Sequence, residues 1–174
     1  MDREKNLAAW HEGSHLETMT TKGKPRVFYH GTGGDFSVFN PEHRSESVRS
    51  IFLSHTPEFA NQFATEDYPS KKGKAANIMP VYVSVKDPFD YQDKEHVDNL
   101  LEDLGRNKDF MMDHEDDIDE YRNNIKKGNW QYIEDPWVQD SIQKRHDGFF
   151  AEGNGHRFLS VYRSNQIKSA TGNL

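Results

Sequence analysis

The strongest constraint on the fold lies near the end of the chain, where two aromatic and apolar runs, Phe149 to Glu152 and Phe158 to Tyr162, flank Gly153-Asn154-Gly155. Residues of that type accept the positive φ of a tight hairpin turn, so the two runs read as antiparallel strands. A hairpin alone is barely stable in water and needs further strands and a covering layer. Both are present upstream. Arg26-Val27-Phe28-Tyr29-His30 reads as a strand closed by a Gly31-Thr32-Gly33-Gly34 turn, Ser50 to Ser54 as a second short strand, and Ile78 to Val85 as an alternating central strand that Asp87-Pro88 ends. Gln166 to Ala170 closes the chain as a last element.

The helical readings fall between these runs. Asn6 to Leu16 has an apolar side in Leu7, Ala8 and Trp10. Thr56-Pro57-Glu58 fits a helix start, with Thr as N-cap and Pro in the first helical position, ahead of Phe59, Ala60 and Phe63. From Tyr91 to Lys127 the chain turns strongly acidic, with Val97, Leu100, Leu101 and Leu104, then Ile118, Tyr121 and Ile125, at helical spacing, which predicts an inserted helical pair. Strands scattered around helices without βαβ alternation indicate an α+β fold. The 174 residues suit one domain over 1–174, with an N-terminal helix and loop over 1–23 and a mostly helical insertion over 91–146.

Composition narrows the functional classes. Eleven Phe, seven Tyr and three Trp supply much of the buried area in a chain that is only 33% apolar. With 29 acidic against 22 basic side chains the net charge is −7, which disfavours a general nucleic-acid binder. The acidic run from Asp113 to Glu120 reads as a solvated helical face. There is no cysteine, which excludes disulfide scaffolds, thiolate zinc sites and cysteine nucleophiles. No apolar run approaches the roughly 20 residues that span a bilayer, and Met1 to Lys5 lead into no signal-peptide core. A soluble, cytoplasmic protein is expected, in a bacterial cell or delivered into a host cell.

Two motifs carry possible chemistry. His11-Glu12-Gly13-Ser14-His15 matches H-E-x-x-H, but Gly13 weakens the helix that would align the rings and no third ligand follows at a set spacing, so no metal is expected. His30-Gly31-Thr32 ends an aromatic strand; Gly31 lets a ligand approach the backbone, where its N–H and C=O can pair with a planar carboxamide. Phe52, on the next strand, and Phe63, on the helix behind it, can enclose a flat heteroaromatic ring between them, although core packing is the commoner use of such residues.

The succession Trp10, Gly23-Lys24-Pro25, Phe28-Tyr29-His30-Gly31-Thr32, Phe36, Phe39, Ile51-Phe52-Leu53-Ser54, Ala60, Pro80-Val81-Tyr82-Val83, Pro88-Phe89, Asp147-Gly148 and Asn165-Gln166-Ile167-Lys168-Ser169-Ala170 resembles the ADP-ribosyltransferase domains of phage and mobile-element polyvalent proteins, on the diphtheria-toxin and poly(ADP-ribose)-polymerase side of that superfamily. The resemblance runs from about Trp10 to Asn173. It implies a split, bent β-sheet that holds NAD in its cleft, with His30 bonding the ribose, Gly31 the nicotinamide amide, Phe52 and Phe63 sandwiching the ring in place of the more usual Tyr, and Thr32 and Ser54 completing the cofactor-binding set.

One expected element is missing. The superfamily places an acidic residue at the start of the last core strand, whereas this chain reads His156-Arg157-Phe158 there. The replacement candidates are Glu152, across the hairpin, and Gln166, which can hold hydroxyls but lends no negative charge to an oxocarbenium-like centre. With His30 they form the catalytic set implied. The resemblance thus implies an NAD-dependent mono-ADP-ribosyltransferase acting on a macromolecular acceptor, protein rather than nucleic acid on grounds of charge. The alternatives are a weak or inactive NAD-fold module that binds a partner protein, and an NAD glycohydrolase.

Overall fold

A computed structural model of the chain describes residues 2–32, 50–66 and 77–171, and of Thr32 and residues 63–66 the backbone alone. The strands are β1 Phe28–Thr32, β2 Ile51–Ser54, β3 Asn77–Val83, β4 Gly148–Gly153, β5 His156–Val161 and β6 Ile167–Ser169. They form one sheet in the order β4-β5-β2-β1-β3-β6, antiparallel throughout. The expected α+β class holds. The hairpin forms as its residues dictate, with Asn154 at φ 50° and Gly155 at φ 76°, and its two strands stay in register from Gly148↔Val161 to Gly153↔His156.

The sheet is held unevenly. β1 keeps five registered pairs with β3, and β2 keeps four with β5, yet β1 and β2 share the single pair Tyr29↔Ser54. Beyond that pair the two halves separate. Every residue of β2 is buried, so both of its faces are covered and its run Ile51-Phe52-Leu53 is apolar without alternation. α2 Pro57–Glu66 lies against one face, where Phe59 meets Phe52 edge-on at 5.6 Å between ring centroids. β1 also starts later than its apolar run suggests and continues through Gly31 and Thr32.

The acidic insertion is not a simple pair. It comprises α3 Lys94–Arg106, α4 Lys108–His114, α5 Ile118–Lys126, α6 Trp130–Ile133 and α7 Pro136–Arg145. The breaks are capped: Asn107 accepts from the N–H groups of Asp109 and Phe110, Asn129 from Gln131, and Asp135 from Trp137 and Val138 with Pro136 behind it. The helices bury Val97, Leu100, Leu104, Phe110, Tyr121, Ile125, Ile133, Val138 and Ile142, while the acidic side chains of residues 113–120 stay exposed as the sequence indicates.

α1 spans Arg3–His11 and stops five residues short of the expected end. Gly13, at φ 72°, turns the chain away. Trp10 fastens α1 to the far end of the chain: its indole N–H donates to the Asn165 carbonyl at 3.0 Å, and the Lys168 ammonium lies 5.1 Å from its ring centroid. Among the described residues, no helix is long and apolar enough to cross a membrane.

Candidate active site

His30 sits where the two half-sheets part. Its Nδ1 reaches across the separation to the Phe52 carbonyl, 2.7 Å away. A carbonyl oxygen only accepts, so Nδ1 carries the proton, and the neutral ring then presents Nε2 as an acceptor. Gly31 follows it in β1, opposite Ile78 of β3. The structure therefore brings His30, Gly31 and the Phe52 main chain together at the split.

The other candidates are placed differently. The Phe52 ring is 3% exposed and packs on Phe59 and Phe158, at 5.6 and 4.8 Å. Ser54 spends its hydroxyl on the turn into α2, donating to the Thr56 carbonyl at 2.8 Å and accepting from its N–H at 3.0 Å. The side chains of Thr32 and Phe63 lie outside the described residues, as do the Gly33-Gly34 turn, Phe36 and Phe39.

Glu152 does not meet His30. Strands β5 and β2 lie between β4 and β1, a lateral separation of roughly 14 Å at ordinary strand spacing. Its carboxylate instead accepts from the Tyr91 hydroxyl. Burial first, and then that bond, push the Tyr91 hydroxyl up to about 12. Gly128, at φ 75°, makes the contact possible, since a Cβ there would stand 2.7 Å from Tyr91 and 2.9 Å from Glu152.

Opposite Glu152 on β5 stands Arg157, at the place where the resemblance leads one to look for an acid. Its guanidinium bonds Glu17 at 2.8 and 3.3 Å and Asp90 at 3.1 and 3.2 Å, 4.0 Å above the centroid of the Phe150 ring. Burial works against its charge, and the bonds to Glu17, Asp90 and Tyr91 outweigh it, leaving the group more basic than usual. Sequence reading passed over Arg157 and Tyr91; the available signal was an Arg embedded among strand aromatics, which demands paired acids.

Gln166 is 5% exposed and fully occupied as an acceptor: Oε1 takes the N–H groups of Tyr162 and Arg163 at 3.2 and 3.0 Å, while Nε2 donates to the Asp147 carbonyl at 2.8 Å. It ties the end of β5 to the start of β4.

The H-E-x-x-H residues diverge. His11 is buried at the end of α1, whereas His15 lies past it, with Nδ1 accepting from Glu17 and its ring 5.4 Å from Phe150. His11 Nε2 and His55 Nδ1 are buried without a hydrogen-bond partner, and burial is the main reason that both rings bind protons less readily than usual. In the unfolded chain these rings take up a proton near about pH 6.5, and in the folded chain only at lower pH. Between those values the unfolded state binds more protons, so stability falls as pH drops below about 6.5. Melting temperatures measured from pH 7.5 to pH 5 should decline, and His55→Phe should flatten the decline.

One six-stranded antiparallel sheet, with β1 and β2 sharing a single registered pair and helices around it, is consistent with an α+β fold of the ADP-ribosyltransferase type. The family described as ADP-ribosyltransferase in polyvalent proteins matches residues 20–174, and the chain belongs to it. Comparison with curated proteins and with solved structures finds no match.

Proposed function

We propose that the chain is an NAD-dependent mono-ADP-ribosyltransferase that breaks the bond between nicotinamide and ribose C1′ and joins C1′ to a nucleophile on a protein acceptor. Nicotinamide leaves as the neutral base, and the acceptor gives up its proton. The observation that carries this reading is the His30 bridge across the split: Nδ1 is anchored on the Phe52 carbonyl, which aims Nε2 as an acceptor for a ribose hydroxyl, next to the Gly31 main chain that would pair with the carboxamide. The work at C1′ is chiefly positioning.

Glu152 and Gln166 are held in other bonds, and this favours slow turnover. Loss of one preorganised group at a reacting centre lowers rates by about 100- to 1000-fold. The same observation favours, as the second reading, a weak or inactive module that binds a partner. Nicotinamide release from NAD, followed beside transfer of a tagged ADP-ribose to lysate proteins, separates the outcomes. Transferase action gives release with protein labelling, glycohydrolase action release without labelling, and a binding module neither. Glu152→Gln, which removes the charge and keeps the shape, should change release less than about threefold, given its distance from His30. A fall of about 100-fold would put the carboxylate at C1′.

A further inference from the structure

The two ends of the helical segment return to one point beside the sheet. Asp87 follows β3, His96 lies in the first turn of α3, and His146 caps the end of α7. One ring nitrogen from each histidine and a carboxylate oxygen of Asp87 all lie within 4.8 Å of one another. Asp87 Oδ1 is 3.6 Å from His146 Nδ1 and 4.0 Å from His96 Nε2, and Asp93 Oδ2 approaches the same His96 nitrogen at 4.0 Å. The rings stand 4.6 Å apart, centroid to centroid, with Phe89 flanking both at 6.1 and 5.8 Å. A cavity of about 10 Å³, the size of one water, adjoins them between Phe89, Leu100 and Ile142.

We propose that Asp87, His96 and His146 form a binding site for a zinc-type divalent transition-metal ion that staples both ends of the helical segment to the sheet. Two imidazoles and one carboxylate suit zinc, nickel or copper; magnesium and calcium prefer oxygen-only sets. Tetrahedral zinc with bonds of about 2.0–2.1 Å sets its ligand atoms roughly 3.4 Å apart, so the cluster, whose atoms lie within 4.8 Å of one another, must contract by up to about 1.4 Å. Asp87, whose side chain is 65% exposed, can supply that movement by rotation. Water or Asp93 would complete the shell.

The hydrogen bonds say what loading changes. His146 Nδ1, the ring nitrogen that approaches the Asp87 carboxylate, also donates to the Asp87 carbonyl at 3.1 Å, and ligation through that nitrogen takes away its proton and releases the bond. His96 Nδ1 accepts from the Asp90 N–H at 3.0 Å, and ligation through Nε2 puts a proton on that nitrogen, so this bond is released. Each of these two losses weakens affinity by about tenfold, and the ion must overcome both. No sequence spacing marks these residues, which are nine and fifty positions apart (96 − 87 and 146 − 96). The expectation of no metal rested on the H-E-x-x-H string and did not consider them.

The test is titration of the chelator-stripped whole chain with zinc chloride alone, by calorimetry and by melting temperature. One ion per chain is expected, with a rise in melting temperature of about 5–10 °C at a hundredfold excess over the dissociation constant. His96→Ala, His146→Ala and Asp87→Asn should each weaken binding by about tenfold or more, and His114→Ala, whose ring faces Asp117, should leave it unchanged. Should either buried-side histidine variant fail to fold, the exposed and isosteric Asp87→Asn decides the matter. No uptake by the wild-type chain, or uptake undiminished in Asp87→Asn, overturns the proposal. NAD plays no part in this readout, so it stands or falls apart from the proposed transferase activity.

Discussion

Replacing His30 with Ala is expected to lower nicotinamide release from NAD by about 100-fold or more while the melting temperature falls only a few degrees. The two effects separate because the ring does two things of unequal size. Towards the protein its Nδ1 bonds the Phe52 carbonyl at 2.7 Å, and a neutral hydrogen bond of that kind contributes about 1 kcal/mol. For a chain of this length that is roughly 2–4 °C. Towards the substrate, in the proposed function, it fixes a ribose hydroxyl at the moment C1′ acquires positive charge, and an anchored group of this sort acts in the transition state more than in the ground state. Release rate and thermal melting on the same preparation check both halves. Parallel loss of rate and fold would show that His30 is only a brace across the split.

Arg157→Ala should give the largest loss of stability, roughly 2–4 kcal/mol, or a fall in melting temperature of about 5–15 °C. The side chain is 16% exposed, and it joins the segment before β1, through Glu17, to the segment after β3, through Asp90. Removing it leaves two carboxylates facing each other and uncovers the Phe150 ring beneath the guanidinium. Partial exposure of Glu17 and Asp90 keeps the figure below that of a fully buried triad. Arg157→Lys should recover part of the loss, because an ammonium keeps the charge and the ring contact without the forked pairing. Urea unfolding of the three proteins checks this. A change under about 0.5 kcal/mol for the Ala variant would mean that the pairs behave as ordinary surface pairs.

How much of this was legible in the sequence varies by element, for physical reasons. The hairpin was, because Gly153-Asn154-Gly155 states its own backbone requirement. So was the entry into α2, where Thr56 caps the Phe59 N–H at 3.3 Å and Pro57 has no N–H to satisfy. The division of the acidic segment into five helices escaped notice although Asn107, Asn129 and Asp135-Pro136 spell out its breaks. The apolar spacing runs on across those caps, and periodicity alone does not see them. At the proposed site, the strand that carries His30 was legible from its aromatic run, but its end was not, since β1 runs on through Gly31 and Thr32. The positions of Glu152 and Gln166 were not, since they depend on strand order. The Arg157 cluster was invisible for the same reason: its partners lie 140 and 67 residues away.

The account turns on where NAD binds, and amide chemical shifts of the isotope-labelled chain during an NAD titration read that most directly. Binding at the split predicts that His30, Gly31 and Phe52 shift together and saturate together, with smaller changes in the helices. Shifts confined to the helical segment, or none at all as NAD is raised to saturating levels for a transferase, would contradict it.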